Sequence, residues 1–152
     1  MPNVRSKIAL SESELHDYFA SSKTIIMATH NHDGYPHMVP MWFTMIAGLV
    51  HMHTYRSSQK TRNIERDPRG AVLIEDGEDY GKLRGVYVRG HFEIRDDQEL
   101  CLRIGLNSAM KYQGLDAVQV EAAADGIRSY VAKRVALIFH PEKSSSWDHR
   151  KI

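Results

Sequence analysis

Apolar residues alternate with polar ones at a period of two over much of the chain, which is the signature of half-buried strands. The run TIIMAT (24–29) is β-branched and apolar, and NHDGYP (31–36) follows as a turn in which Gly34 can absorb a positive φ. The return run HMVPMWFTMI (37–46) reads as a strand containing Pro40, which cannot donate to a ladder and so predicts an edge, a bulge or a bend. Ala47 and Gly48 predict a tight turn into LVHMHTY (49–55). In that strand Val50, Met52 and Thr54 share one face, and His51, His53 and Tyr55 share the other. AVLIE (71–75) is a further strand. RGVYVRGHFEI (84–94) points Val86, Val88, Phe92 and Ile94 one way and Tyr87, Arg89, His91 and Glu93 the other, with Gly90 marking a bulge or a close approach. RVALIFHP (134–141) is the last predicted strand, and EKSSSWDHRKI (142–152) reads as a tail.

Helical signals interrupt this pattern. Ser11 and Glu14 fit a reciprocal cap, with Leu10 and Leu15 placed as a hydrophobic staple. A short helix is predicted near 58–66, a longer one from a cap at Asp96 to about Tyr112 with Glu99 at the reciprocal position, and another over 115–125. Short strands joined mostly by tight turns, with helices inserted late, predict a mainly β fold: a small antiparallel barrel with peripheral helices, in one domain spanning 1–152.

Composition narrows the function classes. A net charge of +1 provides no global field to recruit nucleic acid or an anionic membrane. One cysteine, Cys101, excludes an internal disulfide framework and suits a reducing compartment. No apolar stretch reaches the ~18 residues of a membrane span, and the first residues lack a signal-peptide core, so the expected location is cytoplasmic. The methionines Met27, Met38, Met41, Met45 and Met52 read as core residues at strand spacing. Nine histidines raise the question of a metal. His51 and His53 share a strand face and His30 and His32 flank a turn, but no H-E-x-x-H or cysteine pair supplies a positioned third ligand. No metal is assigned, and the histidines read as polar residues on an outer sheet face. No G-x-S-x-G elbow occurs, and Cys101 reads as a buried structural thiol.

The segment TYRSSQKTRNIERDPRG (54–70) carries the most chemistry. A chain that leaves a strand at Thr54 and starts a helix near Ser57 or Ser58 presents unpaired N–H groups, and such an end can hold a phosphate. Arg56 and Lys60 flank it, and Arg62, Arg66 and Arg69 extend the positive surface. The spacing alone equally describes a solvated basic helix face. At the other end of the chain, Trp147 and Arg150 in WDHR suggest docking onto something planar or anionic, or a simple apolar anchor.

VPMWF (39–43) and the T-x-R-S-x-x-K-x-x-N-I-x-R-D-P-R arrangement (54–69), set between TIIMATHNHDGYPH and VRGHFEI, resemble the split β-barrel flavin and deazaflavin oxidoreductases, the superfamily of pyridoxamine phosphate oxidase. The subgroup most resembled is the actinobacterial reductases that use coenzyme F420. The resemblance implies an FMN-binding-like split barrel that forms a homodimer, with cofactor sites between subunits and a small-molecule substrate. It implies that Thr54, Arg56, Ser57, Lys60 and Asn63 hold the cofactor phosphate. The ring would lie near Met27, Ala28, Thr29, Pro40, Met41 and Trp42, with Trp147 and Arg150 approaching it. The implied activity is hydride transfer from reduced F420 to an unsaturated or conjugated acceptor. Use of flavin mononucleotide (FMN), or cofactor binding without turnover, are the alternatives. No catalytic acid is assigned; Tyr87, Arg89 and His91 are the nearby candidates.

Overall fold

The computed structural model describes residues 3–152. Among these residues the chain runs α1 (Val4–Ile8), α2 (Glu12–Ser21), β1 (Ile25–His30), β2 (Pro36–Met41), β3 (Thr44–Ile46), β4 (Leu49–Tyr55), α3 (Gln59–Arg66), β5 (Arg69–Asp76), β6 (Arg84–Arg95), α4 (Gln98–Gln113), α5 (Ala117–Val131) and β7 (Arg134–Asp148). The strands pair antiparallel in one sheet, in the order β2-β1-β5-β6-β7-β4-β3. β2 and β3 thus sit at opposite edges, yet only Trp42 and Phe43 separate them in the chain. So short a link spans no more than about 10 Å, which forces the sheet to curl until its edges nearly meet. The result is a barrel with an open seam, crossed by the chain at Trp42 and Phe43.

This corrects the single strand expected over 37–46. Pro40 does lie on an edge strand, where its missing N–H costs no ladder bond. The break, however, falls two residues later. At the other end of β3, Ala47 (φ 51°) and Gly48 (φ 77°) make the predicted tight turn into β4.

The barrel is filled by alternate residues of each strand. Met27, Met52, Val86, Leu137 and the seam residue Phe43 are all inaccessible to solvent. Tyr18 of α2 closes the packing, with Leu15 and Phe19 beside it. Burial of each such side chain contributes about 1.5–3 kcal/mol, and this is the main term holding the sheet curled. The reciprocal cap at Ser11 and Glu14 forms as expected and satisfies two backbone N–H groups at the start of α2.

The α4–α5 pair covers the outer face of β4 and β7 through Ile46, Cys101, Ile104, Val131 and Ala136. The outer face is therefore not solvated here, contrary to the expectation for the histidines: His51 is buried and His53 half-buried. Cys101 is buried as expected, and burial pushes its thiol up to about 11, which leaves it unreactive.

Three further boundaries differ from expectation. The cap of α4 is Asp97, whose side chain accepts from Leu100 N, while Asp96 turns outward to Arg56. α5 runs to Val131 rather than 125, behind its own reciprocal cap at Asp116 and Gln119. β7 continues to Asp148, so most of the expected tail is a strand paired with β6 from Arg84 to Arg89. That long pairing is re-phased by the bulge predicted at Gly90, where a Cβ would collide with His140 O. No helix of the described residues is long and apolar enough to cross a membrane.

Candidate functional site

The turn from β4 into α3 is built from hydroxyl groups. Ser58 is the cap; its Oγ accepts from Thr61 N at 3.4 Å and lies 2.9 Å from Thr61 Oγ1, while Thr54 Oγ1 donates to it at 3.4 Å. Asn63 is fully buried: its Nδ2 donates to Thr29 Oγ1 (3.1 Å) and Asn31 Oδ1 (2.9 Å), and its Oδ1 accepts from Gln59 Nε2 (2.9 Å). Asn63 and Thr29 thus tie α3 to β1. Arg56 points away from the helix start and pairs with Asp96 at 2.5 Å. Arg66 donates to His30 O and Asn63 Oδ1, and Arg69 is held by Asp67. Lys60 differs from these cations. It is half-buried, makes no ion pair among the described residues, and has its pKa lowered by burial and, secondarily, by Arg134.

Arg134 opens β7, directly opposite Tyr55 in the ladder. Its guanidinium lies against the rings of Tyr55 and Tyr130, 4.2 and 4.3 Å from their centroids. Nη2 donates to Tyr130 Oη (2.9 Å), Nη1 lies 3.3 Å from His53 Nδ1, and Nε is buried with no partner. No carboxylate pairs with Arg134 among the described residues. Burial, reinforced by the Arg134 charge, lowers the His53 pKa to about 4, so the imidazole is neutral at physiological pH.

Beside these residues a cavity of about 540 Å³ is lined by the edge of the sheet and by the α4–α5 pair. Pro40, Met41 and Trp42 line it on the sheet side, Ile104 and Ile127 on the helix side, and His53, Tyr130 and Arg134 complete it. Among the described residues of the lining, Arg134 is the one that is charged. A volume in the hundreds of Å³, mostly apolar with a few polar groups, is typical of small-molecule sites.

Within one chain the expected site residues fall in separate places. Pro40, Met41 and Trp42 share the cavity, and Thr54, Ser57 and Lys60 lie at the adjoining β4–α3 turn. Met27 and Thr29 point into the barrel and are almost wholly buried. Ala28 faces the outside, in a trough that also includes Tyr87 and Arg89. His91 stacks on His140 and reaches Glu142. Trp147 packs over Gly85 on the far end of β7, and Arg150 is held by Asp148. From Arg134 to Trp147 the strand path is about 40 Å. Among the described residues, no group of three or more His, Cys, Asp or Glu could hold a metal ion.

Sequence reasoning missed Arg134, Tyr130 and Tyr112, and it placed His53 on a solvent-facing side of the sheet. No local pattern links a residue at 53 with one at 134. The one available signal was a cation starting an otherwise apolar strand.

The curled, seamed barrel with a cationic turn beside an apolar cleft is the architecture of the split-barrel flavin and deazaflavin oxidoreductases. The sequence profile of the pyridoxamine 5'-phosphate oxidase family matches residues 11–148, and the chain belongs to that family. It is similar to Rv2991, a conserved hypothetical protein of Mycobacterium tuberculosis, with 37% identity and a TM-score of 0.91 over 97% of this chain and 90% of that one. The fold is shared with an F420 reductase at 23% identity and a TM-score of 0.61, over 84% of this chain and 94% of that one. It is also shared with HutZ, the heme storage protein of Vibrio cholerae, at 15% identity and a TM-score of 0.65, over 90% and 93% of the two chains. No curated protein matches the chain.

Proposed function

We propose that this chain is an F420-dependent oxidoreductase that reduces an unsaturated or conjugated small molecule by hydride transfer. The observation that carries this reading is the pair Lys60 and Arg134: two neighbouring cations, neither with a carboxylate partner among the described residues, the second of which lines a largely apolar cavity. Half-buried cations without counter-charges are costly, and an anionic ligand offsets that cost. The orphaned Nε of Arg134 points to the same unmet demand.

These features fit a planar ring carrying a phosphate. Lys60, Ser57 and the N–H groups at the start of α3 would take the phosphate by charge-assisted hydrogen bonds. Pro40, Met41 and Trp42 would position the ring and exclude water. The bound cofactor would supply the hydride; the chain supplies binding, orientation and electrostatics. Trp147 lies at the opposite end of β7 from Arg134, and Arg150 follows that strand, so their part in the site would come through a homodimer in which a second copy brings them in.

FMN is the second reading, favoured by one observation. Arg66 and Arg69, which would have served a longer anionic tail, are engaged within the protein, leaving Arg62 without an ion pair among the described residues.

A side-by-side titration of the apo-protein with F420 and with FMN, read by tryptophan fluorescence, tests the proposal. Quenching by F420 at micromolar concentration or below supports it. Quenching by FMN alone moves the protein to the flavin branch, and quenching by neither sinks the cofactor assignment. Sedimentation of the same samples reads the dimer.

A further inference from the structure

We infer that His53 donates a hydrogen bond from Nε2–H to a negatively charged oxygen on a planar, conjugated ligand in the cavity beneath α4 and α5, and that Arg134 is the positioning residue that fixes this donor. The tautomer follows from hydrogen-bond chemistry. A guanidinium has donors and no acceptor, so with Arg134 Nη1 at 3.3 Å, His53 Nδ1 must accept. The ring proton is then on Nε2, which makes no hydrogen bond to another residue among the described residues. Arg134 itself has little freedom to turn. Tyr55 and Tyr130 flank its guanidinium, and Tyr130 Oη accepts from Nη2.

The surroundings select the ligand. His53 lines a cavity whose other walls are mostly apolar and which has no carboxylate among the described residues of its lining. A cationic ligand would face Arg134 uncompensated. A planar body with an oxygen anion would pack along Trp42 and Met41 and meet both a fixed N–H and a nearby guanidinium. Burial and the Arg134 charge keep the imidazole neutral, so it acts as a hydrogen-bond donor rather than as a proton source.

This arrangement suits hydride transfer, and in that respect the inference rests on the proposed function. When a hydride adds to the β-carbon of an α,β-unsaturated carbonyl, the C=C pair shifts to form a new C=C and the carbonyl π pair moves onto oxygen. The resulting enolate takes a proton from solvent at its α-carbon, so one hydride and one proton saturate the bond. Negative charge on the oxygen exists only as the reaction proceeds, and a donor already in place stabilises it without reorganisation. A carbonyl edge of the cofactor ring offers the same chemistry. The shared class is an oxygen anion conjugated to a planar system.

The test uses para-nitrophenolate, a planar ring bearing a conjugated oxygen anion, with the full apo-chain. We expect binding, read by the shift of its absorption band, and an Nε2–H tautomer for His53 in a long-range proton–nitrogen correlation spectrum. His53→Gln, which keeps an N–H donor, should bind within about threefold of wild type, whereas His53→Phe and Arg134→Met should lose about tenfold or more. The Nδ1–H tautomer, no binding by wild type, undiminished binding by His53→Phe, or a Gln variant as weak as the Phe variant would each overturn the inference. Pre-saturation with F420 separates the sources. Loss of para-nitrophenolate binding assigns the oxygen to the cofactor ring, and additive binding assigns it to the acceptor. Binding of para-nitrophenolate with no binding of F420 would remove the proposed cofactor while leaving the donor standing.

Discussion

Trp42 lies flat on Tyr112, with ring centroids 4.2 Å apart and planes within 4° of parallel. Tyr112 Oη also accepts from Phe43 N and donates to Phe43 O, each at 2.9 Å. One side chain of α4 therefore holds both residues of the corner at which the chain crosses the barrel seam, and Trp42 in turn lines the cavity. Helix α4 thus governs the shape of the candidate ligand site as well as covering the sheet.

Removing that clamp separates its two roles. Tyr112→Phe keeps the stack but leaves Phe43 N–H without an acceptor, a loss of about 1–3 kcal/mol. Tyr112→Ala also removes the support under Trp42 and should cost about 3–5 kcal/mol. Urea unfolding measures both, and the Ala variant alone should shift tryptophan emission towards the red. Identical midpoints for wild type and Tyr112→Phe would show that the corner does not depend on this side chain.

The two aspartates before α4 give a contrast in neighbouring positions. Asp97 caps the helix, so Asp97→Ala should lower stability by about 1 kcal/mol. Asp96 makes an ion pair with Arg56 in which both side chains are more than half exposed. Such pairs contribute about 0–1 kcal/mol, and Asp96→Ala should be close to neutral. Thermal unfolding of the two variants checks the order; a larger loss at Asp96 would place the helix start one residue earlier.

The alternation of Val50, Met52 and Thr54 with His51, His53 and Tyr55 was legible because strand period alone decides which residues share a face. What covers each face was not legible, because α4 and α5 come forty or more residues later and pack on it only in three dimensions. Gly90 announced its bulge, since a glycine inside a strand weakens the ladder and is retained where the backbone bends or is closely approached. The continuation of β7 through Ser144, Ser145 and Ser146 was hidden by composition: serines signal loops, and only pairing with β6 makes them strand. Asp96, with Glu99 three residues on, is the better cap on paper, yet Asp97 caps the helix and Asp96 pairs with Arg56. The candidate site divided in the same manner. The hydroxyls and cations of 54–63 stand in one short window, but Arg134 joins them through strand pairing that no short window contains.

Lys60 is predicted to serve ligand binding at the expense of the apo-protein's stability. Burial and Arg134 both disfavour its charged form, so Lys60→Ala should leave thermal stability unchanged or raised. The same substitution should weaken cofactor binding by about 1–3 kcal/mol, roughly fivefold to 150-fold in Kd. Fluorescence titration and a thermal melt on one preparation read both quantities. Unchanged affinity would remove Lys60 from the site, and a marked fall in stability would show it to be a structural residue.

His53 gives the stability of the protein a defined acid dependence. The group titrates at 6.5 when unperturbed and at about 4 in the fold, chiefly through burial and then through the Arg134 charge. Between those values the unfolded chain binds the extra proton, so acid favours unfolding. The stability present above pH 6.5 is lost progressively as pH falls towards 4, by about 3 kcal/mol at most. His51, also lowered mainly by burial, acts in the same direction. Asp148, held at about 2 chiefly by its hydrogen bond from Arg150, gives up its contribution at lower pH and leaves this window largely undisturbed. Urea midpoints at several pH values for wild type and His53→Gln should therefore converge in acid, the variant showing the shallower decline. Parallel curves would mean that the imidazole is solvated and free to take a proton in the folded protein, and that Arg134 does not hold it as the geometry indicates.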